Sequence, residues 1–281
     1  MTVKVITDSS SDLPDELIDE LAIGVVPLTV RFGAEEFVDR RDLTPAEFWA
    51  RTDASPTLPE TAAPSPGAFE AAFRAAAAAG HDGVVAICIS GRLSATLQAA
   101  QVAADAVSAA IPVRVIDSKQ ASGALGILVR NAARWAAGGG KLDEIADTAE
   151  EEVHRTRLFA TFDTLEYLRK GGRIGRAQAL VGSMLSMKPV IELRDGVVEP
   201  ESRQRTRSRS LRYLADKVRA AAPVAYPTVL HADAPDHGEL VGMLEEFLPA
   251  ADILVTSIGA VIGTHAGPRA MGVAFQELPR S

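Results

Sequence analysis

Cysteine is nearly missing from this chain: there is one in 281 residues, Cys88, set inside an apolar run. A single thiol excludes an internal disulfide, is compatible with a reducing compartment and, in that setting, reads as a core residue. No apolar stretch approaches the roughly 18 residues that cross a bilayer, and Met1-Thr-Val-Lys-Val-Ile-Thr opens as a strand rather than as a leader with an apolar centre. A cytoplasmic protein without stable membrane insertion is expected. His81, His154, His231 and His237 show no metal-ligand spacing and no Cys/His cluster exists, so no metal is expected. Basic residues are in deficit, Lys+Arg 29 against Asp+Glu 37, for a net charge of -8 and a pI near 5.2. That balance, with no helix-turn-helix pattern, argues against a nucleic-acid partner and against a DNA-binding regulator. The G-x-x-x-x-G-K-[ST] loop and the kinase signature set are also absent, so the chain shows no ATP site of its own.

What is present begins with hydrophobicity: 47% of residues, enough for a substantial core in one large or two ordinary domains. The most informative stretch is Val84 to Thr96, VVAICISGRLSAT, an apolar run that stops at Ser90-Gly91 and gives way to an alanine-rich helix-forming segment. A buried parallel strand turning through Gly/Ser into a helix leaves unpartnered N–H groups at the positive end of the helix dipole. A carboxylate or a single phosphate suits so short a loop. Ser94 serves equally as an ordinary N-cap.

Along the chain, strands are predicted at Val3–Ile6, Gly24–Phe32, Gly83–Ile89 and Val113–Ile116. They alternate with helices at Leu13–Leu21, Thr44–Thr52, Gly67–Ala79, Ser94–Ala109 and Ser122–Ala137. Such alternation implies a parallel sheet with right-handed crossovers. Ser55–Ser65, SPTLPETAAPS, reads as a long Pro-rich loop, a kind often functional. The Gly triplet at 138–140 is the strongest break, followed by an acidic helix over Leu142–Arg155, and a domain boundary near residue 150 is placed there. Beyond it come a strand at Leu158–Phe162, a helical turn at Leu165–Arg169, a helix at Ala177–Met187, and strands Pro189–Leu193 and Val197–Glu199 joined at Asp195-Gly196, a hairpin signal. Helices at Ser208–Ala221 and Gly238–Phe247 and strands at Thr228–His231, Asp252–Ser257 and Val273–Gln276 complete a second α/β unit with a mixed sheet. The expected organisation is therefore an N-terminal domain over residues 1–150 and a C-terminal domain over residues 151–281.

Several short motifs, read together and in order, carry a family resemblance. They are Ile6-Thr7-Asp8-Ser9-Ser10, Ile89-Ser90-Gly91-Arg92-Leu93-Ser94-Ala95-Thr96-Leu97-Gln98, Ile116-Asp117-Ser118, Tyr167-Leu168-Arg169-Lys170-Gly171-Gly172-Arg173-Ile174-Gly175, Lys188-Pro189-Val190, Arg205-Thr206-Arg207 and Ile262-Gly263-Thr264-His265-Ala266-Gly267-Pro268. Nearly end to end, the chain resembles the DegV family. The resemblance implies a fatty-acid-binding protein that holds an acyl chain between its two α/β domains. It also implies that the carboxyl group is shown to a separate, ATP-binding fatty acid kinase, the product being an acyl phosphate for phospholipid synthesis. No cofactor beyond the bound fatty acid is implied.

Residue chemistry and resemblance meet at the head group. A carboxylate needs hydroxyl and N–H donors, which Ser94 and the backbone of Ala95 supply at a helix start, with a second hydroxyl from Thr61 in the Pro-rich loop. The resemblance makes Thr61 and Ser94 the carboxylate-binding pair. The chain departs from the family pattern at Ala62-Ala63 (commonly Ser-Gln), Gly91 (often Ser) and Ala95 (Gly), which leaves fewer side-chain donors. His265, in Gly-Thr-His-Ala-Gly-Pro after an apolar strand and turn over Val255–Ile262, is a hydrogen-bonding candidate for a carboxylate or acyl phosphate. Arg269 stands where the family has glycine and reads as a phosphate contact or a solvated loop residue. Arg169, Lys170, Arg173 and Arg176 form one basic cluster around Gly171-Gly172, and Arg203, Arg205, Arg207 and Arg209 form another, with its arginines on one side if the segment is extended. Among these, Arg173, Arg205 and Arg169 are the candidates for phosphate or kinase contact. Met184 and Met187 are candidate lining residues for the tail. No residue is assigned a catalytic role in this carrier reading. The alternative is an acyl hydrolase or transferase with Ser94 as nucleophile and His265 as base, although Ser90-Gly-Arg-Leu-Ser94 is not G-x-S-x-G.

Overall fold

The computed structural model describes residues 2–55, 57–183 and 187–278. Its first half runs β1 (Val3–Asp8), α1 (Asp15–Glu20), β2 (Gly24–Val26), β3 (Thr29–Phe32), β4 (Glu35–Val38), α2 (Pro45–Ala54), β5 (Glu60–Ala62), α3 (Pro66–Ala78), β6 (Gly83–Cys88), α4 (Thr96–Val107) and β7 (Val113–Asp117). Then follow α5 (Ser122–Ala137), α6 (Leu142–Val153), β8 (Thr156–Thr161), α7 (Glu166–Lys170), β9 (Lys188–Arg194), β10 (Val197–Gln204) and α8 (Arg207–Ala221). The chain closes with β11 (Val224–His231), α9 (His237–Glu245), β12 (Leu254–Ser257), α10 (Ala260–Ala266) and β13 (Met271–Glu277).

Four strands make a parallel sheet in the order β2-β1-β6-β7. β6 is buried at every position, as a central parallel strand covered on both faces requires. Its alternation sorts the core into two layers. Val84, Ala86 and Cys88 pack with Phe69 and Phe73 of α3 and Ala100 and Val107 of α4. Val85 and Ile87 face the other way, toward Leu125 and Leu128 of α5 and Ile145 of α6.

The second sheet has six strands in the order β10-β9-β8-β13-β11-β12. Only β11 and β12 run parallel; the other neighbours are antiparallel, so the sheet is mixed. Its outer face carries α8 and α9, with Leu211, Leu214, Leu240 and Leu244 buried against Phe159, Val229, Val273 and Phe275. On its inner face Leu158, Ile191, Leu193 and Leu230 share one cluster with α5 and the parallel sheet, so the two sheets meet across α5. At the β9–β10 turn Asp195 (φ 50°) and Gly196 (φ 79°) both adopt positive φ, the two-residue geometry that Asp-Gly favours.

The structure departs from the sequence reading in four places. The strand expected over Gly24–Phe32 is interrupted at Pro27-Leu28, because Pro27 offers no N–H to continue a ladder, and the chain crosses into a separate antiparallel sheet ordered β4-β3-β5. Part of the Pro-rich loop is strand: β5 pairs with β3 and carries Thr61 opposite Val30. The helix expected over Ala177–Met187 is a 3-10 segment, Gly175–Ser183, and residues 184–186 lie outside the described residues. The apolar run before His265 turns helical: β12 ends at Ser257 and α10 carries His265 in its last turn. Gly263 permits it, since a Cβ there would stand 2.7 Å from Phe48 and 2.9 Å from Trp49, so α10 packs directly on the aromatic side chains of α2.

Candidate ligand-binding site

Between the sheets lies a cavity of about 890 Å³, its open mouth included. Leu28, Ile89 and Leu93 come from the side of the parallel sheet, Leu158, Ile191, Leu193, Val198 and Leu230 from the mixed sheet, and Ile258, Val261 and Ile262 from the approach to α10 and its first turn. Among the described residues, five of those lining it are polar: Thr61, Ser94, Ser122, Arg173 and His265.

Four of these five are tied to one another. Thr61 Oγ1 lies 2.9 Å from Nε2 of His265. The His265 ring fits because position 171 is glycine; a Cβ at Gly171 would collide with Nδ1. Arg173 donates from Nη1 to Gly171 O (2.7 Å) and from Nε to Leu93 O (3.0 Å), which holds the guanidinium beside Ser94. Ser94 Oγ accepts from the N–H of Thr96 at 3.3 Å and lies 2.8 Å from the Thr96 hydroxyl. Ser94 thus lies one residue ahead of Ala95, the cap of α4, with its hydroxyl against the first residue of the helix. The Ala95 N–H has no partner among the described residues.

Burial, reinforced by the positive charge of Arg173, pushes His265 down to about 4. The imidazole is therefore neutral across physiological pH. Its Nδ1 is buried without a partner, so the proton finds an acceptor only on Nε2, facing Thr61. This arrangement leaves the Thr61 O–H free to donate into the cavity. Ser94 makes no hydrogen bond to His265, and no carboxylate orients the ring among the described residues; the base-to-nucleophile contact of a serine hydrolase is missing.

The remaining sequence candidates scatter. Ala95 is exposed and lines a shallow groove outside the cavity with Arg92, Gln98, Gln101 and Gly172, residues that sequence reasoning passed over; the groove shares Leu93, Ser94 and Arg173 with the cavity. Arg169 on α7 and Arg205 after β10 are exposed and line neither space. The second arginine cluster is not a one-sided extended row: Arg203 is on β10, while Arg207 and Arg209 lie in α8, and Arg207 pairs with Asp236 at 2.9 Å. Arg269 takes φ 59°, the conformation that glycine adopts without strain, and its guanidinium is 3.4 Å from Asp163. Ala62, Ala63 and Met187 do not line the cavity, and Met184 lies outside the described residues. Gly91 sits against Leu97: a Cβ there would stand 2.7 Å from Leu97 Cδ2, so the serine common in the family needs Leu97 to move.

Sequence reasoning also missed Asp12. This buried carboxylate accepts from Ser122 Oγ (2.5 Å) and from the N–H of Gly259 (3.0 Å), while Thr256 Oγ1 donates to its backbone carbonyl (2.7 Å). It fastens the end of β1 to α5 and to the segment leading into α10. The signal was present as the polar run Thr7-Asp8-Ser9-Ser10-Ser11-Asp12 directly after a buried strand. Among the described residues no cluster of His, Cys, Asp or Glu is placed to hold a metal, and no helix is long and apolar enough to cross a membrane.

A parallel and a mixed sheet enclosing an apolar chamber with a small polar cluster at its entrance define an α/β protein of two sheets built around an internal cavity. The chain belongs to the DegV family, described as uncharacterised, whose model matches residues 2–278. It is 38% identical to a DegV domain-containing protein of Streptomyces coelicolor over 277 residues, 96% of this chain and 97% of that one. It is 36% identical to one from Mycobacterium tuberculosis over 278 residues, 97% of this chain and 96% of that one. Among solved structures, a DegV family protein of Thermus thermophilus described by its fatty acid binding superposes with a TM-score of 0.92 at 33% identity, covering 99% of this chain and 100% of that one. DegV of Bacillus subtilis, described as a fatty acid binding protein, gives 0.88 at 28% identity, covering 99% and 100%.

Proposed function

We propose that this chain is a carrier that binds a long-chain fatty acid in the cavity between its sheets and presents the carboxyl group at the mouth. The observation that carries the proposal is the composition of the cavity: aliphatic walls leading to Thr61, Ser94, Arg173 and a neutral His265. Thr61 and Ser94 donate to the carboxylate, with the Ala95 N–H as a further donor. Arg173 supplies the positive charge, and His265 positions Thr61. Each buried CH₂ contributes about 0.8 kcal/mol, so the tail carries most of the affinity and the head sets orientation. Residues 1–150 and 151–281 act as the two domains that clasp the ligand. The carrier has no catalytic residue of its own in this reading. A cytoplasmic, ATP-dependent fatty acid kinase phosphorylates the exposed carboxyl, docking over the groove of Arg92 and Gln98 and using Arg169 and Arg205. The partner and the acyl-phosphate product rest on the family resemblance together with the open, basic approach to Ser94.

The test is native mass spectrometry of the purified protein, followed by denaturing extraction and lipid analysis. One non-covalent fatty acid per chain supports the carrier and names the preferred tail. A protein that is empty and takes up no added C14 to C18 fatty acid overturns it. Labelling of Ser94 by an ester-directed phosphonate with turnover of ester substrates would instead mark a hydrolase.

A further inference from the structure

Two hydroxyl groups meet at the head of α4. Thr96, the first residue of that helix, is fully buried, and among the described residues its hydroxyl has one partner, Ser94 Oγ at 2.8 Å. Ser94 is half-buried and lines both the cavity and the groove outside it. The distance leaves the direction of the bond open, and burial decides it. If Ser94 donated, the Thr96 proton would be shut inside the protein without an acceptor, a penalty that buried donors rarely carry. With Thr96 as the donor both groups are satisfied, because the Ser94 proton can turn into open space.

Ser94 Oγ then accepts twice, from the hydroxyl of Thr96 and from its N–H at 3.3 Å, which occupies both lone pairs of the oxygen. Toward the cavity Ser94 has only its proton to offer. Its neighbours are of the same kind: the Arg173 guanidinium carries donors alone, and the Ala95 N–H is unpartnered among the described residues. This side of the mouth therefore suits a head group that brings no proton of its own, an ionised carboxylate. An alcohol or an un-ionised acid brings a proton that finds no acceptor on Ser94.

We propose that Thr96 is a positioning residue for the head group: it holds the Ser94 hydroxyl as a donor into the cavity, and so favours an ionised carboxylate over a neutral head group that carries a proton. This role rests on the carrier reading given above. Thr96 itself lines neither the cavity nor the groove, so it acts through Ser94. The arrangement matches the one across the mouth, where His265 leaves Thr61 free to donate. Valine at position 96 would keep the branched shape but bring no proton. One lone pair of Ser94 would then be open to a neutral head group, and the Ser94 hydroxyl would lose the partner that fixes its rotation.

The test compares tetradecanoic acid with 1-tetradecanol at pH 8. Both are read by displacement of a fluorescent fatty acid from the delipidated full-length protein, with the Kd of the probe measured for each variant. The ratio of acid to alcohol affinity is expected to fall about three- to tenfold in Thr96→Val, the scale of one weakened hydrogen bond. It is expected to return in Thr96→Ser, which keeps the hydroxyl, and to be no lower in the double variant Ser94→Ala, Thr96→Val than in Ser94→Ala alone. A merely structural loss would weaken both ligands together and would persist without Ser94. If Thr96→Val does not fold by circular dichroism, Thr96→Ala takes its place. A wild type that binds the acid no more tightly than the alcohol, a ratio unmoved by Thr96→Val, or an equal fall in the Ser94→Ala background overturns the role and leaves the carrier standing. A wild type that binds neither ligand overturns the carrier and this role with it.

Discussion

Thr61 and His265 lie 204 residues apart and act as a unit. With its proton on Nε2, His265 donates to Thr61, which leaves the threonine hydroxyl free to donate into the cavity; in the proposed function it meets the carboxylate there. Removing that hydroxyl in Thr61→Val deletes one charge-assisted hydrogen bond, worth about 1.5–3 kcal/mol. Fatty-acid affinity is expected to fall roughly ten- to a hundredfold on that scale, as read by displacement of a fluorescent fatty acid; unchanged affinity would remove Thr61 from the site. Asp12 gives the stability of the fold its own pH signature. Burial pushes it up to about 7, and Asp39 nearby up to about 6, so between pH 4 and 7 the folded chain holds protons that the unfolded chain has released. Their contribution is full in acid and is lost as pH rises through the folded values. His265 works in the opposite sense: its folded value near 4 means that stability is lost as pH falls from 6.5 toward 4. Asp12→Asn can still accept from Gly259 and donate to Ser122 Oγ without ionising. Urea titrations at pH 5.5 and 8 are expected to show a smaller loss of stability on going alkaline in the variant than in the wild type.

At the scale of the element, α10 is the part the sequence disguised. Its segment, AVIGTHA, sits after an apolar strand and reads locally as more of the same. The helix exists because Gly263 lets Phe48 and Trp49 close on it, a tertiary contact that no local pattern announces. Gly263→Ala forces that contact apart, and overpacking of this kind costs about 1–3 kcal/mol; a lowered Tm together with weaker fatty-acid binding is expected, because α10 also holds His265. Three strands of the parallel sheet, β1, β6 and β7, were by contrast legible to within two residues, since β6 is apolar throughout and its flanking helices carry clear 3.6-residue patterns, while β2 was read as running on past Pro27. The hairpin at Asp195-Gly196 was legible for the same reason: two adjacent residues needing positive φ leave a compositional mark. Thr61, Ser94, Arg173 and His265 could be named from sequence through family motifs, but their convergence could not. It depends on β5 joining β3 and on Gly171 admitting the imidazole, both long-range events. The arginines at 203–209 were misjudged because a strand-to-helix junction changes which side chains share a face.

For the whole molecule, the cavity is space that the largest hydrophobic cluster leaves unfilled, so a ligand there completes the core. Mass action predicts the gain: at free fatty acid a hundredfold above Kd, about 2.7 kcal/mol. For a chain of this size that is several degrees in Tm, which differential scanning calorimetry of delipidated and reloaded protein would detect. Leu193→Trp adds bulk to the chamber wall from the mixed sheet. It is expected to abolish uptake of C16 and C18 tails while retaining the fold by circular dichroism; normal uptake would show that the tail lies elsewhere. Polar pins outside this apolar contact also join the two sides, among them Asp12 to Gly259, Ser90 Oγ to the carbonyl of Gly196 at 3.0 Å, and Arg173 to the carbonyl of Leu93. Thr61 and Ser94 stand on one side of that seam, Arg173 and His265 on the other. Neither half of the polypeptide, made alone, contains all four of these cavity residues. Co-expressed halves should regain cargo only when they reassemble, which would turn cargo retention into a readout of their pairing in fragment-complementation assays.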